Sequence, residues 1–273
     1  MKLEDSGFLT IGAQRLEYRM IGPRPSEEPT LVMLHEGLGC VGMWLDFPDL
    51  LQQATGCGVF VYSRAGYGQS SPLTRPWPLS FMHAEARETL PQILNAIGFR
   101  DGLLVGHSDG GSIAAIYAGS HQDHRVRALV LIAPHFIVEG VTIVAIAEMR
   151  KAYDSADLRA RLARWHADVD ATVHGWSDVW LKGDFRSWNL TEDLAYIRIP
   201  VLIVQGEDDQ YGTVMQIEIA QEQCYCPVEV TLLPNARHAP HREAPEATLK
   251  VIAEFVRRAL EKGTTPPTRH VRA

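Results

Sequence analysis

The chain has 273 residues, long enough for one large domain with a sizeable core, and its 46% hydrophobic and 22% charged content is ordinary for a globular protein. A formal net charge of −7 argues against nucleic acid as a partner, because phosphate contacts need a concentrated basic face. No run of about 18 apolar residues suggests a membrane span, so no membrane partner is expected.

The opening stretch, MKLEDSGFLTIGAQRLEYRM, is mixed and acidic and lacks the apolar segment of a secretory signal. Cys40, Cys57, Cys224 and Cys226 match no paired C-x-x-C zinc pattern, and Cys224-x-Cys226 is too tight for an easy bridge. They read as free thiols, which makes a reducing cytoplasm the expected compartment.

In chain order, FLTIGAQRLEYRM suggests an antiparallel hairpin at a sheet edge. Continuous apolar runs follow at 30–37, 57–68, 102–108, 127–134 and 199–209, with a sixth strand-like run at 228–234. Unbroken runs of this kind are expected of parallel strands covered on both faces. Helical patterns fill the gaps at 80–99, where Pro91 is expected to kink or split the helix, after Ser108, and at 244–263. The alternation predicts an α/β class fold with a doubly wound, mostly parallel sheet.

Residues 136–190 break the rhythm with helical text and no convincing strand, and hold four of the six tryptophans: Trp165, Trp176, Trp180 and Trp188. They are expected to form a helical cap inserted between two parts of the core, 1–135 and 191–263. Residues 264–273 are expected to be a frayed tail.

Gly106-His107-Ser108-Asp109-Gly110 reads G-x-S-x-G between a predicted strand and a predicted helix. Alone the pattern is weak, but in that setting a serine on a strained turn projects its hydroxyl above the sheet. A serine hydroxyl is a poor nucleophile at neutral pH and needs a base, which in turn needs an orienting acid. Glu207, Asp208 and Asp209 follow one buried run, and His238 and His241 follow the next, at the strand ends where reacting groups collect in open α/β sheets. The backbone N–H of Asp109, at a helix N-terminus, is a natural donor to a developing oxyanion. The Asp109 carboxylate suits the positive end of that helix, and His107 is expected to pack beneath the elbow.

From about Thr30 to the last helix the chain resembles the α/β-hydrolase superfamily. The family's G-x-x-D pattern matches residues 206–209, which implies Asp209 as the acid, with Asp208 next in line. Its G-H-x-x-x-x-E-x-P loop matches residues 237–245, with Arg237 where glycine is usual, and implies His238 as the base. Its loop of His-Gly-Gly-Pro-Gly type matches residues 35–39, HEGLG, which implies Gly37 as a second oxyanion donor, with Leu38 next in line. Glu36 departs from that pattern and is expected to point away or to pair with a cation. The turn SRAGYGQS departs too, at Ser63 and Ala65, and Arg64 within it reads as structural support.

Substrate contacts are expected from Trp44, Phe136, Trp165, Trp176 and Trp180. The implied function is a serine hydrolase acting on a small apolar carboxylic ester through an acyl-enzyme, with no cofactor and no metal. Its expected partner is a small-molecule substrate. Rival readings are a thioester or lactone hydrolase, a carbon–carbon bond hydrolase of ring-fission products, and an aminopeptidase using cap acids such as Asp168, Asp170 or Asp178. A non-enzymatic small-molecule receptor on the same fold is the rival from another class.

Overall fold

The computed structural model describes residues 3–155 and 157–261. The tail expected to fray, 264–273, lies outside the described residues. Strands β1 (Ser6–Ile11) and β2 (Gln14–Ile21) form an antiparallel hairpin turning at Gly12, and β2 pairs antiparallel with β4 (Gly58–Tyr62). The remaining neighbours are parallel: β3 (Thr30–Leu34), β5 (Gly102–His107), β6 (Val126–Ile132), β7 (Val201–Gly206) and β8 (Val228–Leu233), in the order β1-β2-β4-β3-β5-β6-β7-β8.

The helices in chain order are α1 (Phe47–Thr55), α2 (Phe81–Ala84), α3 (Leu90–Ala96), α4 (Asp109–His121), α5 (Gly140–Asp154) and α6 (Asp157–Leu162). They continue with α7 (Val169–Trp180), α8 (Thr191–Tyr196), α9 (Met215–Gln223), α10 (Pro240–Glu243) and α11 (Pro245–Glu261). Every residue of β3, β4, β5 and β7 is buried, because helices cover both faces. Successive side chains alternate between two cores, as strand geometry requires. Val32, Leu34, Phe60, Leu104 and Leu129 face the α4 side, whereas Leu31, Met33, Val59, Val105 and Val130 face α1 and α11.

Pro91 does not split its helix. A π turn at Glu85–Thr89 joins α2 to α3, and the Leu90 N–H reaches back to the Glu85 carbonyl. The wider turn sits immediately before the residue that cannot donate, which keeps the segment continuous.

Between β6 and α8 lie α5, α6, α7 and a 3-10 turn at Gly183–Ser187. A single antiparallel bridge, Ile137 to Asn189, closes the neck of this segment. All four cysteines are unpaired. Among the described residues no helix is long and apolar enough to cross a membrane.

Candidate active site

Ser108 connects β5 to α4 with φ +53° and ψ −120°, a backbone conformation that an L-residue adopts only under constraint. The constraint comes from the glycines around it. A Cβ on Gly106 would lie 2.2 Å from the Gly110 carbonyl oxygen, and one on Gly110 would lie 2.0 Å from that of Leu34. Strand and helix therefore approach closely only because both positions lack a side chain. The Ser108 N–H donates to the Ile132 carbonyl (2.9 Å), which fixes the elbow to β6.

Ser108 Oγ lies 3.0 Å from His238 Nε2. His238 Nδ1 lies 2.9 and 3.0 Å from the two carboxylate oxygens of Asp209. Asp209 Oδ1 also accepts from the N–H groups of Tyr211 (2.8 Å) and Gly212 (3.3 Å). Burial pushes the Asp209 carboxyl upward, but the His238 hydrogen bond and charge outweigh it and hold the group below the usual carboxylate range. An acceptor-only carboxylate on Nδ1 leaves Nε2 free to accept the serine proton. Asp208 is exposed and takes no part in this line.

Arg64 organises the loop after β3. Its backbone N–H donates to His35 Nε2 (3.1 Å), and its guanidinium donates to the His35 carbonyl and, at 3.1 Å, to the Glu36 carbonyl. The Glu36 carbonyl also lies 2.7 Å from His35 Nδ1. Two consecutive carbonyls are thus held toward a buried cation. The N–H groups of Gly37 and Asp109 have no acceptor among the described residues. Both residues line one cavity with Ser108.

Trp176, on α7, spans these two residues. Its Nε1 donates to Asp109 Oδ2 (2.8 Å), and a Cβ on Gly37 would fall 2.2 Å from that same Nε1. Asp109 is fully buried, and burial raises its carboxyl to about 6 against the opposing pull of the Arg64 charge and the Trp176 hydrogen bond. Beneath the elbow, His107 Nε2 donates to the His238 carbonyl (2.8 Å), and its Nδ1 lies 3.4 Å from Glu36 Oε2. His241 is buried against His107 and Trp44, with ring centroids at 4.7 and 5.0 Å.

The cavity above Ser108 measures about 250 Å³, and its lining includes Trp176, Trp180, Ile146 and Leu38 beside the residues just described. A wider cleft of about 480 Å³ between α1 and α11, near Thr55 and Arg257, holds none of them. Three of the expected pocket residues lie elsewhere. Trp44 is drawn by its 3-10 turn into the α1-side core against Phe47 and His241. Phe136 is fully buried in the α4-side core, its N–H bonded to Gln216 Oε1 (2.6 Å). Trp165 packs over Gly42, where a Cβ would meet its ring at 2.7 Å.

The acids named for amine capture are also engaged away from the cavity. Asp168 caps α7 through the Ala171 N–H (2.9 Å), Asp170 binds Arg159 and Tyr153, and Asp178 binds Arg150 (3.0 Å) and Arg75. Sequence reasoning missed His135, Gln210, Tyr211 and Arg242, all of which line the cavity. His135 had a readable signal, since it lies three residues past the carboxyl end of β6, one residue before Phe136. Burial, and then the charge of His238, lower its imidazole to about 3, so it faces the cavity neutral.

An open α/β sheet carrying a strained serine elbow at its carboxyl edge is the architecture of one family. Residues 29–179 match the family described as alpha/beta hydrolase fold, over half of the chain, and the chain belongs to it. It is 24% identical over 230 residues to a proline iminopeptidase of Lactobacillus helveticus, across 70% of this chain and 78% of that one. It is 27% identical over 235 residues to a non-heme haloperoxidase of Rhodococcus erythropolis, across 76% and 81%. The enol-lactonase of Burkholderia xenovorans LB400 shares the fold at a TM-score of 0.73 and 19% identity, covering 92% of this chain and 100% of that one. Family membership makes the protein a hydrolase. The relatives differ in reaction.

Proposed function

We propose that the protein is a serine hydrolase that cleaves a small carboxylic ester through an acyl-enzyme. Ser108 is the nucleophile, His238 the general base and Asp209 the residue that orients the imidazole. The N–H groups of Gly37 and Asp109 are the oxyanion donors. The observation that carries this reading is the unbroken hydrogen-bonded line from Asp209 through His238 to Ser108 Oγ, ending in a cavity sized for a small substrate.

His238 Nε2 takes the Ser108 proton as Oγ attacks the carbonyl carbon, and the imidazolium is stabilised by Asp209. Negative charge then develops on the former carbonyl oxygen, where one preorganised N–H donor contributes about 3–4 kcal/mol to the barrier lowering. Collapse breaks the bond to the alcohol, which leaves with the proton from His238. Water, deprotonated by His238, attacks the acyl-enzyme and releases the acid and Ser108. Trp176, Trp180, Ile146 and Leu38 supply apolar wall for the acyl or alcohol part. The aminopeptidase reading loses its support from Asp168, Asp170 and Asp178, whose carboxylates are bound elsewhere.

The test is steady-state turnover of p-nitrophenyl esters, thioesters, lactones and aminoacyl anilides by wild type and by Ser108→Ala. The expected result is continuous release of p-nitrophenol from short acyl esters, lost in Ser108→Ala. Ligand-induced stabilisation without turnover, or turnover that survives Ser108→Ala, overturns the proposal.

A further inference from the structure

The acyl-enzyme chemistry proposed above leaves Glu36 without a task, yet the residue lines the reacting cavity. A carboxylate there opposes an oxyanion forming nearby, so its placement has a functional consequence. The loop is shaped around it. The Gly39 N–H donates to the Glu36 carbonyl (3.1 Å), and a Cβ on Gly39 would lie 2.3 Å from Glu36 Oε2. Only glycine at 39 lets the carboxylate fold back in this way.

Oε2 lies 3.4 Å from His107 Nδ1, whereas Oε1 has no hydrogen-bond partner among the described residues. The side chain keeps 22% of its surface open. Burial works against the charge, but the His107 hydrogen bond and neighbouring imidazoles outweigh it and hold the carboxyl well below its usual range. Of the other acids lining the cavity, Asp109 accepts from Trp176 through Oδ2 while its buried Oδ1 has no partner, and Glu243 accepts from the Arg237 N–H through Oε2. A carboxylate with one unpartnered oxygen in a cavity that also has apolar wall has the make-up of a specificity contact.

We infer that Glu36 Oε1 is a substrate-recognition site that accepts a hydrogen bond from a hydroxyl or protonated amine carried by the substrate near its scissile carbonyl. A substrate of the same shape without that donor desolvates the carboxylate and returns nothing, which is how buried polar groups discriminate. Glu36 opposes a substrate carboxylate at that same point. The inference rests on the ester-hydrolase reading for its kinetic test, but binding reads it separately.

The kinetic arm uses p-nitrophenyl esters of equal acyl length ending in methyl, hydroxyl, ammonium or carboxylate, with wild type, Glu36→Gln, Glu36→Asp and Ser108→Ala. In wild type, kcat/KM for the hydroxyl and ammonium esters is expected to exceed that for the methyl ester by about tenfold, the scale of a hydrogen bond to a charged group. The carboxylate ester is expected to be slowest. Glu36→Gln should lower the ammonium-to-methyl ratio about tenfold and raise the carboxylate-to-methyl ratio, while Glu36→Asp retains part of the preference. Ratios within one variant cancel any loss of folded protein.

The binding arm measures, by calorimetry, the corresponding non-hydrolysed amides on Ser108→Ala with and without Glu36→Gln. Turnover lost on Ser108→Ala but ratios indifferent to Glu36→Gln overturns the role of Glu36 and leaves the hydrolase reading intact. Absent turnover with an ammonium amide bound more tightly, and that advantage lost in Glu36→Gln, overturns the hydrolase reading and supports Glu36. Amides bound without preference overturn it in either case.

Discussion

Trp176 Nε1 and Asp109 Oδ2 are 2.8 Å apart, so helix α7 is hydrogen-bonded to the residue that follows Ser108. The same indole nitrogen occupies the space a side chain at Gly37 would need. One tryptophan therefore touches both residues whose N–H groups are proposed to receive the oxyanion.

Gly37→Ala is expected to lower kcat by about 10²-fold, the scale of one lost oxyanion donor, with a smaller change in KM. Its Cβ has no room while the indole is in place. In a Trp176→Ala background that clash is gone, so the penalty of Gly37→Ala should shrink. A double-mutant cycle on kcat/KM measures the coupling, and strictly additive losses would show that the indole does not hold this loop.

Asp109 gives a signed pH dependence. Its folded-state value, raised by burial to about 6, lies above the ordinary carboxyl value near 3.9 expected when unfolded. The folded state therefore binds the proton more tightly, and this group's contribution to stability is fully present below about pH 4. It is lost as pH rises through about 6, a difference of roughly 3 kcal/mol. Asp109→Asn does not titrate and keeps an oxygen for the Trp176 N–H. Urea unfolding at pH 4 and pH 7 should show the variant gaining on wild type as pH rises. An unchanged difference between the two pH values would refute the raised carboxyl.

Arg64 grips two adjacent carbonyls with a planar fork, and lysine cannot reproduce that geometry with a single ammonium. Arg64→Lys should therefore release the Glu36 end of the loop and lower kcat more than KM, although Arg64 does not line the cavity above Ser108. The replacement keeps the buried charge but leaves buried acceptors such as the His35 and Glu36 carbonyls poorly paired, which predicts a drop in stability of about 1–3 kcal/mol. Kinetics beside urea unfolding separate the two effects; an unaltered kcat in folded protein would remove Arg64 from the positioning role.

The strands, the elbow and the three residues placed on one hydrogen-bonded line were legible because their signals are local. Continuous apolar runs mark strands covered on both faces, and two glycines flanking a serine mark a tight strand-to-helix corner. Asp209 sits just past such a run and His238 just past the edge strand β8, where the sheet's polarity brings them to the same edge. Trp44, Phe136 and Trp165 lie away from the cavity for the converse reason. Each is an aromatic near the right loop, but its direction depends on a 3-10 turn, a one-residue alternation or a helix orientation. His135, one position before Phe136, shows how small the difference is, for it faces the cavity while its neighbour faces the core.

By itself the amino-acid order determined the α/β class, the family resemblance and the chain order of serine, acid and histidine, since backbone propensity and burial pattern act over a few residues at a time. Only tertiary structure decided which way α7 faces, that its indole lies against Gly37 and Asp109, and that the Glu36 carboxylate folds over Gly39. Those outcomes depend on packing between segments dozens of residues apart, where rotation of one helix or loop exchanges a wall residue for a core residue without altering any local pattern.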